Sequence, residues 1–293
     1  MRIIFIGNVQ LSARVLVELI DMQQSPVGIC VNLKTHKNSD FQDLSLIANA
    51  NAIPFLDTAD INNSEALTWV QKLRPDVIFC VGWSQILARP LLEIPRLGVI
   101  GYHPSALPQN RGRHPLIWAI ALGLEETGST FFMMDSGIDS GDIISQRTVE
   151  ILPSDYAADL YKRVTETAVA QLKKLVHELR NGQVKRLKQN QLKANHWRSR
   201  SFKDGLIDWR MSARSINNLV RALSRPYPGA HFQKNDRLIK VWKSEVVTYL
   251  TENIEPGRVI KSTEEGALIK TGEQGILLKE IEPKIKLNDG ICL

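Results

Sequence analysis

The sequence predicts an α/β fold with a mostly parallel sheet in its N-terminal part, followed by a small β domain. Three observations carry this. The first half alternates short apolar runs with segments of helical spacing. At Asn181 the character changes to a polar, basic stretch. Beyond Gly229 the chain breaks into short β-type runs punctuated by glycines and charges. At 293 residues the chain is too long for one small domain and comfortable for two. The expected division is 1–185 for the first domain, 186–228 for a linker and helix, and 229–293 for the β domain.

Taken in order, Arg2–Ile6 reads as a buried strand that stops at Gly7-Asn8. A helix is predicted from Leu11 to Met22, because Leu11, Val15, Leu16, Leu19 and Ile20 recur at helical spacing. Val27–Val31 reads as a strand, Leu44–Ala50 as a helix and Pro54–Leu56 as a short strand. Glu65–Leu73 reads as a helix and Asp76–Val81 as a central strand. Leu97–Tyr102 is a buried strand running straight into His103. Ser129–Met134 and Ile143–Val149 look like an antiparallel pair appended to the sheet, and Asp155–Arg180 like a long helix opened by Ser154-Asp155. Farther on, a helix over Ala213–Leu223 ends abruptly at Arg225-Pro226-Tyr227-Pro228-Gly229. Leu238–Trp242, Val246–Leu250, Arg258–Ile260, Ala267–Lys270 and Ile276–Ile281 then predict about five strands of a small barrel or open sheet.

Bulk properties narrow the class. Hydrophobic content of 43% and charged content of 23% are ordinary for a soluble globular protein. No stretch reads as a signal peptide, and no apolar run approaches the roughly 18 residues of a membrane span. Cys30, Cys80 and Cys292 show no metal-ligand spacing, and the first two sit inside apolar runs as core residues. A cytoplasmic setting without a membrane partner is the expectation. The net charge of +6 is concentrated: Lys173 to Lys203 holds ten Lys/Arg against one acid, Glu178. This is either a solvated helix face and linker or a contact for an anionic partner, nucleotide phosphates or an RNA backbone.

Chemistry points to the stretch from Gly101 to Gln146. His103 stands at the carboxyl end of an apolar strand, where loops and helix starts converge in an open parallel sheet. Asp139 lies in Asp135-Ser136-Gly137-Ile138-Asp139-Ser140-Gly141-Asp142, whose small residues allow close backbone approach to a ligand. A carboxylate beside an imidazole favours its protonated form and fixes its tautomer, as a general base near neutrality requires. Metal binding by His103, His114, Asp135, Asp139 and Asp142 is the competing use, but no HxxxH or HxH spacing supports it, so no metal is expected. His36, His177, His196 and His231 read as surface, helix, linker and strand-start residues. A lone Gly7 after the first strand is not a dinucleotide fingerprint, and no GxSxG elbow occurs.

The block HPSALPQNRGRHP, then ETGST, then DSGIDSGDI resembles the folate-dependent formyltransferases. So do Val81-Gly82-Trp83-Ser84-Gln85-Ile86-Leu87 with Ile94-Pro95-Arg96-Leu97-Gly98, similar to that family's folate loop and the strand behind it. Gly205 to Trp209, Asn218 to Ala222 and Pro226 to Ala230 resemble its C-terminal domain, so the likeness spans roughly residues 1–245. It implies a Rossmann-like catalytic domain with a small OB-like β domain, and formyl transfer from N10-formyltetrahydrofolate, a co-substrate, to a primary amine. His103 would be the general base and acid, with Asp139 supporting it. Gln85, Ile86, Leu87, Arg113 and Asp135, Ser136, Gly137, Ile138 and Asp139 would line the pterin and formyl pocket. One position departs. The family has an asparagine two residues before the histidine to stabilise the oxyanion, and this chain has Gly101. Such a loss typically slows a reaction about a hundred- to a thousandfold. Asn110, His114 or a main-chain N–H would have to substitute, or the enzyme is slow, or the protein binds folate and sugar nucleotide without turnover.

Two branches of the family share the two-domain plan, one formylating methionyl-tRNA and the other nucleotide-linked amino sugars. The tRNA branch carries a long basic insertion after the second strand. Here Asn32-Leu33-Lys34-Thr35-His36-Lys37-Asn38-Ser39-Asp40 is short and mildly basic. The resemblance therefore favours a nucleotide-linked amino-deoxy sugar, for example a 4-amino-4,6-dideoxyhexose bound for a bacterial surface glycan, over nucleic acid. Arg198 or Arg200 would meet the diphosphate, and Trp209 or Tyr227 would stack on base or sugar. The β domain has three candidate uses: binding ligand, pairing two copies into a homodimer, or bracing the first domain.

Overall fold

The computed structural model describes residues 1–34, 39–248 and 253–293. The N-terminal alternation is β1 (Ile3–Ile6), α1 (Gln10–Asp21), β2 (Gly28–Val31), α2 (Ser45–Ala50), β3 (Phe55–Asp57), α3 (Ser64–Lys72), β4 (Val77–Cys80), α4 (Arg89–Leu92) and β5 (Val99–His103). Then follow β6 (Arg111–Gly112), α5 (Pro115–Ala121), β7 (Glu126–Met133), β8 (Ile143–Glu150), α6 (Ala157–Arg180) and β9 (His196–Trp197). The last part holds α7 (Ala213–Leu223), β10 (Ala230–Lys234), β11 (Arg237–Val247), β12 (Val259–Thr263), β13 (Gly266–Lys270) and β14 (Gly275–Glu282).

Seven strands form one sheet in the order β3-β2-β1-β4-β5-β7-β8. The first five are parallel, and β7 joins β5 antiparallel. Ile3, Ile4, Phe5 and Ile6 are all fully buried, as a central parallel strand covered on both faces requires. Burying each such side chain is worth about 1.5–3 kcal/mol, which explains an unbroken apolar run in place of alternation. Because β1, β4 and β5 are parallel, Gly7, Val81-Gly82 and His103 emerge at the same edge. There the Ser12 hydroxyl donates to the Val81 carbonyl at 2.6 Å and accepts from the Val9 N–H at 3.1 Å. Gly82 has φ of +66°, and a Cβ on it would run into Val9, so only glycine suits that turn.

The chain divides into two compact units, one of residues 1–112, 127–149 and 162–197, the other of 113–126, 150–161 and 198–293. The second unit thus draws two segments from within the first 161 residues of the sequence. One is α5, an apolar helix (Leu116, Ile117, Ala119 and Ile120 buried) that packs on α7 and that periodicity alone does not announce. The Ser212 hydroxyl caps α7 by accepting from the Ser215 N–H at 3.1 Å, a contact worth about 1 kcal/mol. The sheet of this unit is antiparallel, in the order β10-β11-β14-β13-β12.

One sequence expectation fails here. The two strands expected at Leu238–Trp242 and Val246–Leu250 form a single strand, β11, with its register against β14 shifting between Val241 and Ser244. Lys243 and Glu245 broke the apolar pattern, but an irregularity keeps the ladder running through them. The end of that second expected strand, Leu250, lies outside the described residues, as do residues 35–38 of the 32–40 stretch.

Candidate active site

Strand β5 is buried along its whole length and delivers His103 as its last residue, paired with Thr130 of β7 and 5% exposed. The ring sits between two acceptors. His103 Nε2 is 2.8 Å from the Asn110 carbonyl oxygen, which can only accept, so Nε2 carries a proton. His103 Nδ1 faces the Asp139 carboxylate, with Oδ2 at 3.6 Å. That separation is an electrostatic approach rather than a hydrogen bond, of the loose kind that tightens when a ligand arrives. The same Oδ2 accepts from the Gly112 N–H at 2.9 Å, which aims the carboxylate at the ring.

The loop carrying Asp139 is organised by its own side chains. Asp135 Oδ1 accepts from the Gly137 N–H at 2.9 Å and from the Ser140 hydroxyl at 2.7 Å. Asp135, Ser136, Gly137 and Ile138 are exposed, whereas Asp139 is half-buried and left-handed, with φ of +51°. Two residues on, a Cβ at Gly141 would overlap the Met133 carbonyl, so the loop re-enters the sheet where only a glycine fits.

The expected folate loop is braced rather than free. Gln85 spends its amide on the Ala59 carbonyl and the Ile61 N–H, and Asn62 donates to the Ile86 carbonyl at 2.9 Å. Ile86 is exposed, but Leu87 is 2% exposed and packs with Ile61, Leu91 and Ile4 in the core, so it supports the loop from beneath and presents no surface to a ligand. Gly101 is paired with Cys80 on one side and Phe132 on the other. A Cβ there would lie 2.7 Å from Phe132 Cζ and 2.9 Å from Met134 Cγ. The room an asparagine would take is filled by those two side chains. Of the substitutes considered, Asn110 has its amide oxygen taken by Asn195 Nδ2 at 3.2 Å, and His114 Nδ1 accepts from the Arg200 N–H at 3.1 Å.

The second unit holds a separate cationic cluster. Arg198 and Arg200 lie over the Trp118 ring, with guanidinium carbons 5.2 and 4.5 Å from its centroid. The Trp118 indole donates to the Arg198 carbonyl at 3.0 Å. Arg198 is paired with Asp204, and Arg200 Nη2 donates to the Asp204 carbonyl at 2.6 Å. The Arg198 guanidinium and the Ser201 N–H hold the Asp204 carboxyl well below the usual carboxylate range. Desolvation, with Arg113 and Arg200 nearby, pushes the His114 pKa below its ordinary value. Arg113 is exposed and Tyr227 half-buried. Trp209 is 8% exposed, edge-on to Phe232 with ring centroids 5.3 Å apart, so its bulk is spent on the core and not on stacking a ligand.

Four residues stand around the His103–Asp139 pair: Asn110, which the sequence offered only as an oxyanion donor, and Arg111, Gln189 and Asn195, which sequence reasoning passed over. Asn110 sits in the turn-rich loop, and Gln189 and Asn195 lie in a basic stretch whose composition reads as solvated linker. Strand pairing of β6 with β9 joins the two segments. Among the described residues no group of three or more His, Cys, Asp or Glu is placed to hold a metal ion, and no helix is long and apolar enough to cross a membrane.

Residues 1–176 match the formyl transferase family, and residues 201–288 match the formyl transferase C-terminal domain. The chain belongs to the folate-dependent formyltransferases. By sequence it is similar to the methionyl-tRNA formyltransferase of Desulforamulus reducens, 32% identical over 265 residues, covering 89% of this chain and 83% of that protein. By structure it is similar to the N-formyltransferase from Helicobacter canadensis in complex with folinic acid and dTDP-3-aminofucose. There the TM-score is 0.72 at 21% identity, covering 95% of this chain and 99% of the other. A sugar N-formyltransferase from Shewanella sp. has a TM-score of 0.66 at 20% identity, covering 82% and 96%.

Proposed function

We propose that this formyltransferase moves the formyl group of N10-formyltetrahydrofolate to the amine of a nucleotide-linked amino-deoxy sugar. The observation that carries the choice of acceptor is the connection between β2 and α2. From Asn32 to Leu44 it contains two lysines, one histidine and two aspartates. A near-neutral stretch of this length supplies little of the cationic charge that neutralising RNA phosphates requires. The basic run from Lys173 to Lys203 is also partly spent internally: Lys173 pairs with Glu18 at 3.0 Å, Lys174 with Glu178 at 3.5 Å, and Arg198 with Asp204.

In this reading the neutral amine attacks the formyl carbon to give a tetrahedral intermediate. His103 takes the amine proton and returns one to N10 as the carbon–nitrogen bond to the folate breaks. Asp139 supports the imidazole while it is charged. Gln85, Ile86 and the exposed Asp135–Ile138 loop edge contact the folate, with Leu87 holding the loop from below. Arg198 and Arg200 contact the diphosphate, and Tyr227 the base or sugar. Gly101 leaves the oxyanion to a donor other than the side chain at that position.

A second reading, methionyl-tRNA as acceptor, is favoured by the similarity to methionyl-tRNA formyltransferases over 89% of this chain and 83% of theirs. One experiment separates them: incubate the protein with N10-formyltetrahydrofolate and UDP-, dTDP- or GDP-linked amino sugars, or with methionyl-tRNA, and follow tetrahydrofolate release. Turnover with one sugar nucleotide is the expected result. Formylation of methionyl-tRNA alone, with steep salt dependence, would replace the sugar reading.

A further inference from the structure

Asp139, whose carboxylate faces His103, is held in a left-handed backbone conformation with φ of +51°. The group that holds it is the side chain of Gln189. Gln189 is 8% exposed, and its Nε2 donates to two main-chain carbonyls of the loop, Asp139 at 2.8 Å and Gly141 at 2.7 Å. Its Oε1 is gripped from the other side by Arg111, which is 3% exposed and donates from Nε at 3.2 Å and from Nη2 at 2.6 Å. The remaining arm of that guanidinium, Nη1, donates to Gln191 Oε1 at 2.9 Å. A charged donor on the amide oxygen polarises the amide and strengthens its N–H groups as donors.

The segment around Gln189 is itself fastened on both sides. Leu187 and Ile143 exchange main-chain hydrogen bonds at 2.8 Å each. Farther along, Asn195 and Asn110 bond reciprocally: the Asn110 N–H donates to Asn195 Oδ1 at 2.8 Å, and Asn195 Nδ2 donates to Asn110 Oδ1 at 3.2 Å. Asn110 supplies the carbonyl that fixes the His103 Nε2 proton. One strap, from Leu187 to Trp197, therefore touches the partners of both ring nitrogens.

We propose that Gln189 is a positioning residue for formyl transfer: its amide, backed by Arg111, holds the Asp139 loop so that Oδ2 faces His103 Nδ1. The proposal rests on the reading of His103 and Asp139 as the proton-transfer pair, so His103→Ala is run beside it. Full activity in His103→Ala would sink that reading by itself, whatever Gln189 does.

The test uses Gln189→Glu and Gln189→Ala in the full chain, each alone and on an Asp139→Asn background. Gln189→Glu keeps an acceptor for Arg111, in fact a better one, while replacing the two donors to the loop by carboxylate oxygens. It is expected to stay folded, with a melting temperature lowered by a few degrees because two loop carbonyls lose their donor, and to lose roughly ten- to a hundredfold in kcat, the scale of a misplacement of about an ångström. Gln189→Ala is expected to lose at least as much. On the Asp139→Asn background both changes are expected to lower kcat less than twofold, because a group acting through Asp139 has nothing left to position. The kcat–pH profile of Gln189→Glu should then match that of Asp139→Asn. Full kcat in Gln189→Glu would overturn the proposal. So would losses that simply multiply on the Asp139→Asn background, since these would make Gln189 a scaffold residue with no special link to the pair.

Discussion

Two regions of this formyltransferase hold an arginine against a short loop, and they do it in opposite ways. Around Arg111 the guanidinium is buried, its partners are the uncharged amides of Gln189 and Gln191, and the bonds pass on to the main chain of the Asp139 loop. Around Arg198 the guanidinium is exposed, paired with Asp204, and the turn it closes, Ser201 to Asp204, also caps itself. Removing a partner from a buried polar group leaves that group unsatisfied at about 1–3 kcal/mol, more where a charge is involved. An exposed ion pair is typically worth 0–1 kcal/mol. The first arrangement fixes the geometry beside the His103–Asp139 pair proposed for proton transfer, and the second leaves two cations over an indole.

The largest effect should come from the histidine that the buried region serves. His103→Ala is expected to lower kcat by at least a hundred- to ten-thousandfold, the range for a lost general acid–base group, with the fold retained. Tetrahydrofolate release and circular dichroism on the same preparation check both halves. Next, Gly101→Asn should fail to speed the enzyme and should destabilise it by about 1–3 kcal/mol, because Phe132 and Met134 occupy the space. Pairing it with Phe132→Leu should recover part of the lost stability in denaturant titrations. A single Gly101→Asn variant that is faster and no less stable would show that this region is softer than its packing implies.

A smaller effect is expected with pH in the second unit. His231 is 4% exposed, stacks on Phe202 at 4.2 Å between centroids, and leaves Nε2 without a hydrogen-bond partner. Burial pushes its pKa below the ordinary histidine value. The unfolded chain therefore takes up a proton near pH 6.5 that the folded protein refuses, so stability present above that pH is lost as pH falls below it. His114, also held low, acts in the same direction. His231→Phe, which keeps the stack, should flatten the fall in melting temperature between pH 7 and 5, and an unaltered slope would assign it to His114 instead. The smallest effect belongs to the exposed pair. Arg198→Ala should change unfolding free energy by no more than about 1 kcal/mol while weakening binding of the sugar nucleotide. A loss above about 2 kcal/mol would erase the contrast between the two arginines.

Much of this was legible before any coordinates. Strand β1 is an unbroken apolar run because both its faces are covered, and β5 ends in His103 because the apolar run itself ends there. Glycine-flanked Asp139 stood out for its loop. What stayed hidden were amide side chains. Gln189 and Asn195 sit among Lys185, Arg186, Lys188 and Lys193, and no periodicity separates a buried glutamine from a solvated one. Leu87 and Trp209 are buried for a reason the sequence does not display, since an apolar residue beside a binding motif looks the same whether it faces a ligand or the core. In β11, charges at Lys243 and Glu245 imitated a break that the backbone absorbs.

Sequence by itself therefore determined the strand and helix alternation, the parallel sheet, the histidine at its edge, the acidic loop and the family. These depend on local periodicity, turn chemistry and residue type, all of which are written along the chain. Only the tertiary structure decided that Phe132 and Met134 fill the space beside Gly101, and that Arg111 and Gln189 grip the Asp139 loop. It also decided that Asn195 holds Asn110, whose carbonyl bonds His103. Those contacts join residues far apart in sequence, and a hydrogen bond between two such side chains leaves no mark on either segment until the fold closes them together.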